Sequence, residues 1–159
     1  MTPPRRLVLL RHAKSDWSTG LPDEQRPLAP RGRRDAPRAG RWLRDHLDHI
    51  DLVLCSPAVR ARTTWELAAA ELPEQPPVRY EAEVYAASAA DLLDQVHGLP
   101  EEAATVVLVG HNPGIESLLG LLTGEDWQMK TAAIAVVSWP GSWSDAEQSQ
   151  PQLEARGAP

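Results

Sequence analysis

Only one of the 159 residues is cysteine, and only two are lysine. A lone cysteine excludes an internal disulfide and any cysteine-rich zinc site. Cys55 lies inside the apolar run Leu52-Val-Leu-Cys55 and reads as a small buried hydrophobe, not as a reactive thiol. Long hydrophobic runs are also missing: nothing approaches the ~18 consecutive apolar residues of a membrane-spanning helix. Met1-Thr-Pro-Pro-Arg-Arg6 leads into only four apolar residues, too few for a secretory signal, so the expectation is a cytoplasmic protein without a membrane partner. The length fits one domain with a single core.

Basic charge is scarce in the second part of the chain. Residues 63–159 carry 3 Lys and Arg against 15 Asp and Glu, whereas residues 1–62 carry 13 against 7. Such asymmetry can mark a nucleic-acid surface. Here no aromatic residues interleave with the basic ones, and the whole chain has a net charge of −6. A local positive pocket for a small anion accounts for the pattern with less, and no nucleic-acid partner is expected. Some of the basic residues between Arg31 and Arg44 are accounted for by a solvated helix face.

The chain reads as strands alternating with helices. Leu7-Val-Leu-Leu10 is too short and too apolar for a helix and predicts a buried strand over residues 6–10, ending in Arg11-His12. Residues 13–30 form a long loop broken by Gly20, Pro22, Pro27 and Pro30, a length that usually carries function in a compact domain. Ala36, Ala39, Trp42, Leu43 and Leu47 make a helical stripe, with Pro37 expected to kink it or to delay its start. His46 and His49 near its end fit the negative pole of the helix dipole better than a metal, since no third ligand is near.

A second strand over 51–55 runs into Ser56-Pro57, read as a helix N-cap and first position, with Arg60 in the first turns of a helix over 57–71. Residues 72–77 are a proline-rich turn. Val78–Val84 reads as an edge segment carrying Glu81 and Glu83, and a helix over 86–97 stops at Gly98. Thr105–Gly110 repeats the opening pattern: a buried strand, then His111, then a helix over 114–123. A last strand covers 131–139. Residues 1–140 thus form one domain, and 141–159 a loosely ordered tail with at most one short strand near Leu153. The expected architecture is α/β: a three-layer α/β/α sandwich on a mostly parallel sheet.

In a parallel sheet the strand ends share one edge, and ligands bind there. Arg11, His12, Arg60 and His111 would then converge. Two guanidiniums and two imidazoles suit a dianionic phosphoryl group: arginine clamps two oxygens, and histidine attacks phosphorus or balances charge.

The motifs Arg11-His12-Ala-Lys-Ser15-Asp-Trp17, Arg26-Pro-Leu28, Arg31-Gly-Arg33, Ser56-Pro-Ala-Val-Arg60-Ala and Gly110-His111-Asn-Pro113 resemble, in this order, those of the histidine phosphatase (phosphoglycerate mutase-like) superfamily. The resemblance covers roughly residues 6–138 and is nearest to the SixA-like branch, in which Ala13 after the Arg-His pair is ordinary. It implies a phosphoglycerate mutase-like fold, here too short for a large cap insertion. It also implies a cofactor-independent, metal-free phosphatase in which His12 is transiently phosphorylated. Arg11 and Arg60 would clamp the phosphate, and a protonated His111 would add charge. Ser18 aligns with a phosphate-contacting Asn of mutase-type members. Glu83 is the first candidate for the general acid that many relatives carry, with Glu81 and Asp16 behind it. Lys14, Asp16 and Trp17 would line the mouth.

An open site and the weak position of the acid favour protein phosphohistidine as substrate, because a phosphoramidate depends less on acid than an alkoxide does. The alternatives are a small-molecule phosphomonoester phosphatase and a phosphomutase, the latter needing an enclosing cap. A non-catalytic phosphoprotein-binding module would not need an exposed nucleophile. No oligomeric state follows from the sequence.

Overall fold

A computed structural model describes residues 3–159. Six strands form one sheet, in the order β3-β2-β4-β1-β5-β6. They are β1 (Arg5–Arg11), β2 (Leu52–Cys55), β3 (Val78–Tyr80), β4 (Thr105–Gly110), β5 (Ile134–Trp139) and β6 (Gln152–Gly157). The pairings β1–β4, β2–β4 and β2–β3 are parallel; β1–β5 and β5–β6 are antiparallel. The helices are α1 (Pro30–His46), α2 (Val59–Ala69), α3 (Ala89–His97) and α4 (Gly114–Thr123).

The side-chain alternation of the central strands builds two cores. Leu7, Leu9, Leu52, Leu54, Val106 and Leu108 face one side and pack with Leu92 and Val96 of α3 and with Ile115, Leu118 and Leu119 of α4. Val8, Leu10, Val53, Cys55, Val107 and Val109 face the other and pack with Ala39 and Leu43 of α1 and with Ala61 and Trp65 of α2. This is why the strands read as unbroken apolar runs: both faces are covered, so every position is buried. The three-layer sandwich expected from the alternation of elements is the fold observed. Among the described residues no helix is long and apolar enough to cross a membrane.

Several local expectations change. α1 is continuous through Pro37, so that proline does not delay its start, and Pro30 stands at the first position, where a missing N–H is tolerated. Ser56 is not the N-cap of α2; Ala58 is, without a side-chain cap. β3 stops at Tyr80, so Glu83 falls in a 3-10 turn, Ala82–Val84. His46 stacks on Trp42, with ring centroids 3.9 Å apart, and bonds its carbonyl, while His49 pairs with Asp51.

The largest correction concerns residues 141–159, which are not a loose tail. Trp143 opens a 3-10 segment (Trp143–Gln148) and is fully buried. It donates to the Ala103 carbonyl at 2.8 Å and packs edge-on against Trp139, with centroids 5.4 Å apart. β6 then closes the sheet on β5. The polar composition misleads because β6 is an edge strand with an alternating, half-exposed pattern, which a two-sided apolar run does not resemble.

Candidate active site

Arg11 pairs with Gly110, and Cys55 with Val109, so β1, β2 and β4 end level with one another. The residues just beyond those ends are His12, Ser56 and His111. The His12 and His111 rings lie 5.1 Å apart, centroid to centroid. The His12 backbone N–H donates to the Gly110 carbonyl at 3.1 Å, which joins the two strand ends. Ala13 N–H donates to Thr64 Oγ1 at 2.9 Å, and that hydroxyl donates to the Arg60 carbonyl at 2.7 Å. The loop after β1 is thereby stitched to the first turn of α2. The structure thus brings Arg11, His12, Arg60 and His111 together around a cavity of about 240 Å³, with Lys14, Trp17, Asp23 and Arg26 along its rim.

His12 is 7% exposed. Its Nδ1 lies 2.8 Å from the Ala13 carbonyl. A carbonyl only accepts, so Nδ1 carries the proton and Nε2 keeps its lone pair. Burial pushes the imidazole pKa down to about 3, aided by His111, Arg60 and Arg11 and opposed by the Ala13 hydrogen bond. His12 is therefore a neutral base at neutral pH. His111 is pushed down to about 4, by burial first and then by Arg60, so without an anion beside it the imidazole is neutral; the cation expected from the sequence is that of the phosphate complex. Its Nε2 hydrogen-bonds the Ser56 hydroxyl at 2.7 Å. That hydroxyl also accepts from Ala58 N–H at 3.2 Å. Ser56 thus orients His111, a role hidden behind its helix-cap signature.

The two arginines share one arrangement. Arg11 donates from Nη1 to the Met129 carbonyl at 2.9 Å. Arg60 donates from Nη1 to the Asp23 carbonyl at 2.6 Å and from Nη2 to Asp23 Oδ2 at 2.9 Å. Both are anchored at the far end of the guanidinium. Arg11 Nε, Arg60 Nε and His111 Nδ1 are buried without a partner among the described residues. A buried donor left unpaired costs about 1–3 kcal/mol, which an acceptor oxygen of a ligand would recover.

Asp23 and Tyr85 are the residues the sequence reading missed. Tyr85 O–H donates to Asp23 Oδ2 at 2.5 Å, and Arg26 Nε donates to Oδ1 at 3.2 Å. Tyr85, then Arg60 and Arg26, hold the Asp23 carboxyl well below the usual carboxylate range. Arg26 also donates to Ser15 Oγ at 2.6 Å and lies 3.5 Å over the exposed indole of Trp17. The signal for Asp23 was its place in a loop too long to be a mere connector, directly ahead of the Arg26-Pro-Leu28 motif.

Four expected residues are not brought in. Glu83 is exposed on its 3-10 turn and lines neither this cavity nor the neighbouring one, because the chain turns after Tyr80 and presents Tyr85 instead. Glu81 pairs with Arg79. Ser18 is exposed and folds back on Asp16, its N–H and O–H both donating to Oδ1, at 2.8 and 2.6 Å. Asp16, held by those bonds, does not line the cavity. The second cavity, about 460 Å³, adjoins the first through Asp23, Arg60, His111 and Asn112, and is otherwise lined by residues 85–88 and Pro113.

The model of the histidine phosphatase superfamily (branch 1) matches residues 7–85. An uncharacterised protein of Mycobacterium tuberculosis is 37% identical over 149 residues, spanning 87% of this chain and 92% of its own length. Among solved structures, a candidate phosphohistidine phosphatase SixA from Nakamurella multipartitia is 34% identical, with a TM-score of 0.88 over 98% of this chain and 96% of that one. A second, from Agrobacterium tumefaciens, is 29% identical, with a TM-score of 0.85 over 98% and 99%. The chain belongs to the histidine phosphatase superfamily, in its SixA-like branch, and is a phosphatase.

Proposed function

We propose that this protein is a cofactor-independent phosphatase that works through a phosphohistidine on His12 and acts on phosphohistidine in proteins. The observation that carries the reading is the contact of His12 Nδ1 with the Ala13 carbonyl. Its Nδ1–H is committed to the Ala13 carbonyl, so Nε2 presents a free lone pair in a site lined with guanidiniums.

In the first step Nε2 attacks phosphorus in line, and the bond from phosphorus to the leaving nitrogen breaks. Arg11 and Arg60 spread over the equatorial oxygens, where negative charge is shared in the transition state. Their Nε–H groups gain acceptors, and so does His111 if it takes up a proton as the dianion raises its pKa. In the second step water attacks phospho-His12, releases phosphate and restores Nε2.

The absence of an acid at the site shapes the substrate. Among the described residues Asp23 is the only one that lines the cavity with a carboxyl group, and it is held ionised. An alkoxide leaving group needs a proton. The imidazole of a phosphohistidine protonated at its distal nitrogen leaves as the neutral base without one. The adjoining cavity gives such a leaving group and its peptide room. The candidate phosphohistidine phosphatases in the same branch favour this reading, and a cytoplasmic location agrees with it.

Rapid-quench mixing with a 32P-labelled phosphohistidine protein tests it. We expect acid-labile label on His12 in a burst, none in His12→Ala, and turnover faster than that of small phosphomonoesters. Equal hydrolysis by His12→Ala overturns the nucleophile. Faster turnover of a monoester overturns the substrate class. Phosphate-dependent binding without turnover marks a non-catalytic module, and transfer of phosphate back to substrate marks a mutase.

A further inference from the structure

We propose that Asp23 is a positioning residue for the phosphate clamp, one that fixes which edge of Arg60 is presented to substrate. The proposal rests on Arg60 being the clamp and deepens that assignment.

A guanidinium offers two paired edges. The end edge carries one N–H from each Nη, and the side edge carries Nε–H with the second N–H of Nη2. Asp23 takes the end edge of Arg60 completely, with its carbonyl on Nη1 at 2.6 Å and its Oδ2 on Nη2 at 2.9 Å. The edge left over holds the unpartnered Nε. A freely rotating arginine would offer a phosphate either edge; this one offers only the side edge.

Asp23 is itself held from three sides. Tyr85 O–H closes on the same Oδ2, Arg26 Nε takes Oδ1, and the Arg26 backbone N–H donates to the Asp23 carbonyl at 3.2 Å. Arg26 is buried, anchored by Ser15 and covered by Trp17, so the carboxylate is mounted on a fixed cation. The 3-10 turn that carries Asp23 (Asp23–Gln25) lies 37 residues ahead of Arg60 in the chain, with α1 and β2 between them. The bidentate contact, not shared backbone, is what sets the clamp.

The contrary possibility has the same contacts. Asp23 could be a tethered anion that competes with phosphate for Arg60. The two differ in sign. A positioning carboxylate makes phosphate bind more tightly, and a competing one makes it bind more weakly.

The test uses full-length protein, inorganic phosphate and orthovanadate, with calorimetry for affinity and the 15Nε–H resonances of Arg11 and Arg60 as reporters. Charge-assisted hydrogen bonds are the strong ones, so we expect Asp23→Ala to weaken both anions about tenfold or more, with Asp23→Asn intermediate. In wild type, phosphate should shift both Nε–H signals. In Asp23→Ala the Arg60 shift should be lost and the Arg11 shift kept. Tighter anion binding by Asp23→Ala overturns the proposal in favour of a competitor. Loss of both shifts overturns it in favour of a general structural role, and retention of both overturns it outright. These readouts need no turnover. Wild type that binds anion but never forms phospho-His12 defeats the phosphatase reading alone, whereas wild type that binds neither anion defeats both.

Discussion

His12 and His111 are buried as neutral bases, and that couples the folded state to pH. A free histidine titrates at 6.5, while in the fold His12 titrates at about 3 and His111 at about 4. The folded pKa values are depressed, so the unfolded chain binds more protons between those limits. Their contribution to stability is full above pH 6.5 and is lost as pH falls toward 4 and then 3. We expect the urea midpoint to drop between pH 7.5 and pH 4.5, and to drop less in a His12→Gln/His111→Gln double variant. Equal drops in the two proteins would contradict the burial of neutral imidazoles. At this scale the sequence yielded the types of the four central residues. It did not yield how far the pKa values of the two histidines fall, because burial is the largest cause for both. Nor could it reach Asp23 or reject Glu83, since a hydrogen bond between Asp23 and Tyr85 spans 62 residues.

The joints between elements carry the placement of the loop that holds His12. A Cβ on Gly40 would collide with the Ala68 carbonyl, where α1 crosses α2. A Cβ on Gly32 would collide with the Lys14 carbonyl, two residues from His12. Overpacking of this kind costs about 1–3 kcal/mol. We expect Gly40→Ala to lower stability by about that much with little loss of kcat. Gly32→Ala should lower stability and also lower kcat by about tenfold or more, since the loop holding His12 must shift. Calorimetric Tm and steady-state kinetics on both variants separate the two cases. Equal kcat in both would mean that the 13–15 loop is not held from α1. Strands β1 and β4 and the helix after β4 were legible, because apolar runs and glycine stops are local signals. The start of α2 was misread because Ser56-Pro57 carries a cap signature, while the Ser56 hydroxyl is held by His111 from another strand.

Over the whole molecule, the basic excess of the first part converges on the cavity. Arg11, Arg26 and Arg60, all within residues 1–62, gather at one edge of the sheet. The last 19 residues supply Trp143 and Ala146 to the core and close the sheet through β6. Truncation after Pro140 would uncover the β5 edge and remove Trp143, so we expect an insoluble product. Trp143→Ala, which deletes a fully buried indole and its bond to Ala103, should cost about 3–5 kcal/mol, measured by urea unfolding. A soluble truncated chain with an unchanged midpoint would show β6 to be dispensable.

The sequence alone determined the sandwich, the edge at which the strands end, and the four residues delivered there, because hydrophobic periodicity and strand-end chemistry are written within short stretches. Tertiary structure alone decided which nitrogen of His12 is free, how far burial lowers the His111 pKa, that Asp23 rather than Glu83 lines the cavity, and which edge of Arg60 is left unpartnered. Each of those depends on burial or on a hydrogen bond between residues distant in the chain or joined by backbone geometry, and neither exists until the layers are packed.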